Sequence, residues 1–367
     1  MSSTLTLDVH TSVATLPPAW NDVVARSRMG TVFARTEWLR AIERGTDATA
    51  RHVVVSRDES PVGICPNFVS DIDLPLSLPD RLTPCELVSV APGFGGPIVT
   101  GDYEATFDRL LDGLGVAATD GVWGHRIRSL DGDASQYADL LDARGYVPSV
   151  PTCQLVVDLT QPFEGVLAGW DKDRRRTARK AHEAGMTVTR PDPTASEREA
   201  FYDAYAAMID RVDGVRFDPE FFEVLFESLA DRIVLFRADL DGEPVGWHFY
   251  LRDDEQSDLH HFFSGLREEH FGHHPSSRLH EAAMEWGKEA GFETYNFGES
   301  NADVTEGGFR YKSQYGGEVL PVLTWERGLA RGRWAAYRAA RRLYRTLDAR
   351  SQRRARTTGR PADTGDA

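Results

Sequence analysis

The sequence predicts a mixed α/β (α+β) fold built from two tandem copies of one sheet-and-helix unit, followed by a basic C-terminal helix. Three observations carry this. The chain has 367 residues with 41% apolar and 10% aromatic content, enough for two ordinary domains with packed cores. Strands and helices alternate in the same order in each half. The segment DESPVG (58–63) is echoed by DGEPVG (241–246), each at a turn between two paired strands.

In chain order, the opening stretch reads as a loop, and TEWLRAIERG (36–45) as a short helix. Alternating β-branched residues make HVVVS (52–56) and PVGICPNFVSD (61–71) a hairpin around the turn RDES. A Pro-rich connection (75–84) leads to SVAPGFGGPIV (89–99), a strand broken by a Gly-Pro cluster. A helix (105–121), a strand (123–130), a helix (135–145) and a strand (153–160) complete the first half, with the break near Pro148–Pro151. The second half runs through helix WDKDRRRTARKAHEAG (170–185), strand 186–190 and helices 197–212 and 219–230. A meander of strands 232–240, 245–253 and 258–266 follows, then helix 278–291, strand 294–300, a Gly-rich loop and strand 319–326. The expected domains are 1–150, 151–327, a basic amphipathic helix at 328–356 and a disordered tail at 357–367.

Composition excludes several classes. No run of 18 apolar residues exists, so no spanning helix is expected. The N-terminus lacks the basic and apolar regions of a signal peptide, so the expected location is cytoplasmic. Three scattered cysteines (Cys65, Cys85, Cys153) make neither a zinc site nor a disulfide framework. There are 57 acidic residues against 42 basic ones, only four of them lysine, which is a balance suited to high salt and a halophilic source. The charge is uneven: residues 327–367 hold 12 Arg and 3 Asp, a net of +9. With Trp334, Tyr337 and Tyr344 among the arginines, residues 329–356 read as a helix lying on anionic lipid at the inner membrane surface, or docked on the acidic body.

The second half resembles the GNAT acyltransferase superfamily, and within it the Fem-type aminoacyltransferase and CelD-like acetyltransferase branch. The basic helix after VDLT, the segment ADLDGEPVGWHFYL, the unit LHEAAMEWGKEAGFETYNFGES and the closing GGFRYKSQYGGE carry the resemblance. FARTEWL and GFGGPIV extend it into the first half. It implies two tandem GNAT-like domains and transfer of an acyl or aminoacyl group to an amine. The donor is acyl-CoA or aminoacyl-tRNA, and no cofactor is tightly bound. The family's phosphate loop, Q/R-x-x-G-x-G/A, is met in REEHFGHHPSSR by one glycine, Gly272, with the following N–H groups near Ser276, Ser277 and Arg278 available for phosphate. No helical hairpin of the kind that grips tRNA is visible.

The helix at 170–185 places Lys172, Arg176, Arg179 and Lys180 at i, i+4, i+7 and i+8, a cationic face suited to phosphate or to solvent. Arg211 and Arg216 flank RVDGVR as candidate anion clamps. Seven of eleven histidines lie between 248 and 280. His270 and His274 have the interval of a helical ligand pair but sit in a Gly/Pro loop, so no metal is expected. His260 and His261 point to opposite faces of their strand, and one of them is the candidate base. Glu299 and Asn301 follow a strand end, with Glu299 as a second base and Asn301 orienting substrate. Tyr311 is a catalytic candidate, and by the resemblance Lys312 braces the loop or meets an anion. The expected activity is N-acyl transfer to a small or lipid-linked anionic acceptor, without DNA, and with tRNA disfavoured because molar salt suppresses such binding. The other reading is a non-catalytic module of the same fold that holds a polyanion or nucleotide.

Overall fold

The structure is a computed structural model that describes residues 4–72, 83–101, 103–119, 121–129, 137–212 and 214–342. The expected Pro-rich connection (75–84, except its last two residues), the last part of the basic helix (343–356) and the tail lie outside the described residues. The chain forms two compact units that are not consecutive in sequence. One unit holds Met1–Met29, Asp47–Ser149 and the chain from Leu323. The other holds Gly30–Thr46 and Val150–Val322.

In the first unit, β1 (Leu5–His10), β3 (His52–Arg57), β4 (Ser60–Cys65) and β7 (Ile98–Val99) form an antiparallel sheet in the order β1-β3-β4-β7. Helix α1 (Trp20–Arg26) precedes this hairpin, and β2 (Thr49–Ala50) pairs with β5 (Phe68–Asp71). Strand β6 (Cys85–Val88) pairs with β5 and, in parallel, with β8 (Val122–Ser129). Helix α3 (Tyr103–Ala117) buries Phe107, Leu110, Leu111 and Leu114 against Val53, Val55 and Leu87, and α4 (Ala138–Ala143) adds Leu141. The opening loop of the sequence reading is in fact β1 and α1. LTLDVH alternates as a strand should, and its partner residues His52–Arg57 give it register. The expected strand at 89–99 reduces to β7, because the cluster Pro92–Pro97 interrupts the ladder.

Helix α2 (Thr36–Gly45) lies early in the chain but packs in the second unit. Trp38, Leu39, Ala41 and Ile42 are buried, and Trp38 meets Phe221 edge-on at 6.2 Å. Val32 N–H donates to Asp253 Oδ2 at 3.0 Å, and Arg35 pairs with Glu255 at 2.7 Å. Strand β9 (Val147–Asp158) carries the chain into this unit. There follow α5 (Phe163–Gly169), α6 (Lys172–Glu183), β10 (Thr187–Thr189), α7 (Ala195–Arg211), α8 (Pro219–Ser228), β11 (Ile233–Leu240), β12 (Glu243–Asp253) and β13 (Asp258–Leu266). Then come α9 (Pro275–Glu289), β14 (Thr294–Asn301), α10 (Gly307–Ser313) and β15 (Glu318–Gly328). The strand order is β10-β11-β12-β13-β14-β9, antiparallel except for the β13–β14 pair. Leu279, Ala283 and Met284 of α9 pack with Phe236, Tyr250 and Leu259 on one side, while α7 and α8 bring Phe201, Tyr205 and Phe222 onto Phe249 and Phe263. The expected Gly-rich loop contains α10, capped by the Glu306 carboxylate accepting from Phe309 N–H at 3.0 Å. Gly317 ends it at φ 90, where a Cβ would stand 2.4 Å from Val156 O, so a side chain is excluded there.

The echoed hexapeptides occupy equivalent hairpins. Asp58 and Glu59, like Asp241 and Gly242, are both left-handed, the conformation of a two-residue type I′ turn. Ser56 faces Pro61, and Asp239 faces Pro244. One register shift beyond each proline, Val55 meets Gly63 and Ala238 meets Gly246. Turn, proline, bulge and glycine recur in the same register.

After β15, residues 331–342 are helical. Trp334 and Tyr337, read from the sequence as lipid-facing, are buried, 5% and 8% exposed, beside Ile72 and Trp123. The ring of Trp334 fills the space over Gly124, where a Cβ would stand 2.4 Å from it. Arg341 makes a two-pronged bond to Glu326 at 2.8 and 3.0 Å. Over the described residues this helix packs within the chain's own first unit, the docked one of the two readings, with Trp334 and Tyr337 turned inward. No described helix is long and apolar enough to cross a membrane.

Candidate active site

The site grows from a split between two strands. β13 and β14 pair in parallel only at Asp258–His260 with Thr294–Asn296. Beyond that, β14 is bent: its register on β9 shifts between Asn296 and Glu299, and Gly298 adopts φ 72 with its N–H on Asn296 Oδ1 at 2.8 Å. Glu299 and His261 therefore lie on strands that have parted.

After β13 the chain turns through Glu268–His273 into α9. His274 is left-handed at φ 59, and Pro275 supplies the first helical residue. The N-cap residue His274 makes no side-chain cap hydrogen bond, so the first N–H groups and the positive end of the dipole lie beside Ser276 and Ser277. A cavity of about 540 Å³ opens there, walled by Asp173, Arg174, Arg176 and Thr177 of α6, by Leu266, by Phe271, Gly272 and the run from His274 to Ser277, and by Tyr311 and Gln314.

Hydroxyls join this cavity to buried imidazoles. Ser276 Oγ lies 2.5 Å from Tyr311 OH and 3.3 Å from His248 Nε2. Tyr311 OH meets Tyr315 OH at 2.9 Å, Tyr315 OH meets Ser277 Oγ at 3.2 Å, and Ser277 Oγ meets Thr177 Oγ1 at 3.0 Å. Behind them, His248 Nδ1 contacts Tyr250 OH (3.1 Å), Tyr250 OH contacts Tyr295 OH (3.0 Å), and Tyr295 OH contacts His280 Nδ1 (2.5 Å). Burial pushes His248 down to about 3 and holds His261 and His280 well below the usual histidine range, so all three are neutral at pH 7. The same burial raises the Tyr295 and Tyr315 phenols well above their usual range. Arg174 stacks on the Tyr311 ring at 4.7 Å and donates to Gln314 Oε1 at 2.6 Å. Lys312 donates to Glu299 O at 2.7 Å, and burial lowers its ammonium to about 8.

Of the residues singled out from the sequence, Arg176, Gly272, Ser276, Ser277 and Tyr311 line the cavity. Lys172, Arg179 and Lys180 are exposed along α6, with Arg179 3.8 Å from Glu183. Arg211 stacks on Phe271 at 4.8 Å, Arg216 pairs with Asp210 at 3.0 Å, and Arg278 pairs with Glu281 at 3.0 Å. His260 is buried between Phe33 and the carboxylate of Asp253, 3.7 Å away, and does not reach the cavity. His261 faces His248 and His280, and Asn301 is exposed at the end of β14. Arg174, Thr177, His248, His280, Tyr315 and Gln314 were missed. The first two were legible: Arg174, Thr177, Ala178 and Ala181 fall at i, i+3, i+4 and i+7, and the two alanines mark the only face of α6 that can pack.

The comparisons with known proteins agree with this geometry. Residues 171–313 match the family model of the Acetyltransferase (GNAT) domain. No curated protein matches the sequence. Among solved structures, FemX shares 14% identity at a TM-score of 0.67, covering 91% of this chain and 99% of its own. The C-terminal domain of a protein from Agrobacterium fabrum assigned as a lysylphosphatidylglycerol synthetase shares 14% identity at a TM-score of 0.54, over 84% and 90% of the two chains. A tandem GNAT protein from the clavulanic acid biosynthesis pathway shares 14% identity at a TM-score of 0.50, over 89% and 98%. The chain thus has a GNAT-type acyltransferase fold, with two sheet regions that resemble tandem GNAT domains and a C-terminal helix.

Proposed function

We propose that the protein is an N-acyltransferase that moves an acyl group, acetyl in the simplest case, from acyl-CoA to an amine of a small or lipid-linked anionic acceptor. The observation that carries this is the N-terminus of α9, without a side-chain cap from His274, at a 540 Å³ cavity that Leu266 at the end of β13 also lines. A helix N-terminus presents N–H groups and dipole to a diphosphate, and Arg176, 3.2 Å from Asp173 on the same wall, adds a guanidinium that a diphosphate would compete for. A lipid-linked acceptor is included because one chain sharing the fold carries the name lysylphosphatidylglycerol synthetase. Aminoacyl-tRNA is the other donor to test.

In the proposed reaction the acceptor amine loses a proton to a base and attacks the thioester carbonyl. The tetrahedral intermediate expels the thiolate, which takes a proton from Tyr311 OH at the cavity wall. The oxyanion is assigned in this reading to backbone N–H groups along the parted strands. Glu299 is the better base, since burial makes His261 a poor proton acceptor at neutral pH. The exposed cations Lys172, Arg179 and Lys180 favour the second reading, a module that holds a polyanion without turnover.

Incubation with acetyl-CoA and a panel of amines, read by mass spectrometry of the acceptors, separates the two. Acetylated amine at many turnovers per enzyme supports transfer. CoA binding by calorimetry without product supports the binding module.

A further inference from the structure

Three histidines from three elements converge behind the cavity: His248 of β12, His261 of β13 and His280 of α9. Their ring centroids are 4.5, 4.4 and 4.9 Å apart. One ring nitrogen from each lies within 4.8 Å of the others. The outer edges of the rings are held by hydroxyls: Tyr250 on His248 Nδ1, Ser264 on His261 Nε2 at 2.9 Å, and Tyr295 on His280 Nδ1. His280 Nε2, by contrast, is buried without a hydrogen-bond partner among the described residues. An orphaned buried nitrogen costs free energy unless something fills its place, and outer hydroxyls on inward-facing imidazoles are the arrangement that orients metal ligands.

We propose that His248, His261 and His280 hold a divalent transition-metal ion, zinc above all. The donor set selects the metal class: three imidazoles without a carboxylate suit zinc, copper or nickel and not magnesium or calcium. Tetrahedral zinc at 2.0–2.1 Å from nitrogen places its ligands roughly 3.3 Å apart. The trio therefore contracts on binding by about 1.5 Å at its widest, within reach of small ring rotations. Ser276 Oγ, which lines the cavity and lies 3.3 Å from His248 Nε2, supplies a hydroxyl from the cavity side. Arg174 and Lys312 act on the cluster as like charges and limit the affinity. The proposal stands independently of acyl transfer.

The test uses the full chain, freed of metal by dialysis against a chelator. Zinc chloride is titrated by calorimetry, and cobalt(II) by visible absorbance. The expected result is one tight zinc equivalent, with cobalt showing the intense bands of four-coordination. His280→Gln weakens zinc by at least about 100-fold, and Tyr295→Phe, which keeps all three ligands, by about 10- to 100-fold. A double variant of the loop histidines His270 and His273 binds as the unaltered chain does. If His280→Gln does not fold, Tyr295→Phe and the cobalt spectrum decide. Weak or non-stoichiometric zinc binding, or unchanged affinity in Tyr295→Phe and a folded His280→Gln, overturns the proposal and leaves the trio a hydrogen-bonded network.

Discussion

Acid should destabilise this protein before its carboxylates begin to titrate, and His248 gives the size of the effect. Its folded value is held near 3 by burial, against about 6.5 in an unfolded chain. The unfolded state therefore binds more protons between these values. His248 contributes its full stability above pH 6.5 and loses it as pH falls toward 3, at about 1.4 kcal/mol per pH unit. From pH 7 to pH 5 the loss is roughly 2 kcal/mol from this residue alone. His52 and His125 of the first unit are lowered in the same way and add to the slope. Urea denaturation of chelator-treated protein at pH 7, 6 and 5 measures it, and His248→Gln removes the residue together with its push on His261 and His280, while His52 and His125 contribute equally to both proteins. Over pH 7 to 5 the variant's slope should be shallower by about 1 kcal/mol per unit, the roughly 2 kcal/mol spread over two units. An unchanged slope, or stability that rises on acidification, would refute the assignment of a neutral buried imidazole.

Other expectations follow from the same contacts. Trp334→Ala should cost about 3–5 kcal/mol by opening the space over Gly124 and Gly328. A melting curve unchanged from wild type would show that the C-terminal helix is not docked. In the ¹³C NMR titration of the reductively methylated chain, Lys312 should have its midpoint near 8. The idea fails if all four lysines titrate near 10.4. Arg176→Glu should weaken CoA binding about tenfold in calorimetry, while Arg179→Glu, further along α6 and outside the cavity wall, leaves it within about twofold. Equal losses in both would point to a diffuse cationic surface.

What the sequence revealed depended on how locally each feature is encoded. The two hairpins were legible because a type I′ turn and a proline at a fixed offset are chemical requirements of a few adjacent residues. The α6 boundaries were also close, since Gly185 with φ 80 closes the helix. Its packed face was less legible. Charge drew attention to Lys172, Arg176, Arg179 and Lys180, whereas the face that packs is set by Ala178 and Ala181 and carries Arg174 inward. Strand alternation separated His260 from His261 correctly, but only packing shows that Phe33, from a segment more than two hundred residues earlier, covers His260. The histidine trio and the Tyr311–Ser276–His248 chain join β12, β13, α9 and α10. No spacing within one element encodes such a meeting.

If the cavity at the start of α9 performs acyl transfer with Tyr311 protonating the leaving thiolate, Tyr311→Phe is the decisive variant. Its hydroxyl partners keep other bonds, Ser276 to His248 and Tyr315 to Ser277, so the stability cost is about 1 kcal/mol. Single-turnover transfer from acetyl-CoA to an amine identified in the panel should nonetheless slow by about 10² to 10⁴. A variant that folds, binds CoA normally and transfers at the unaltered rate would contradict the account.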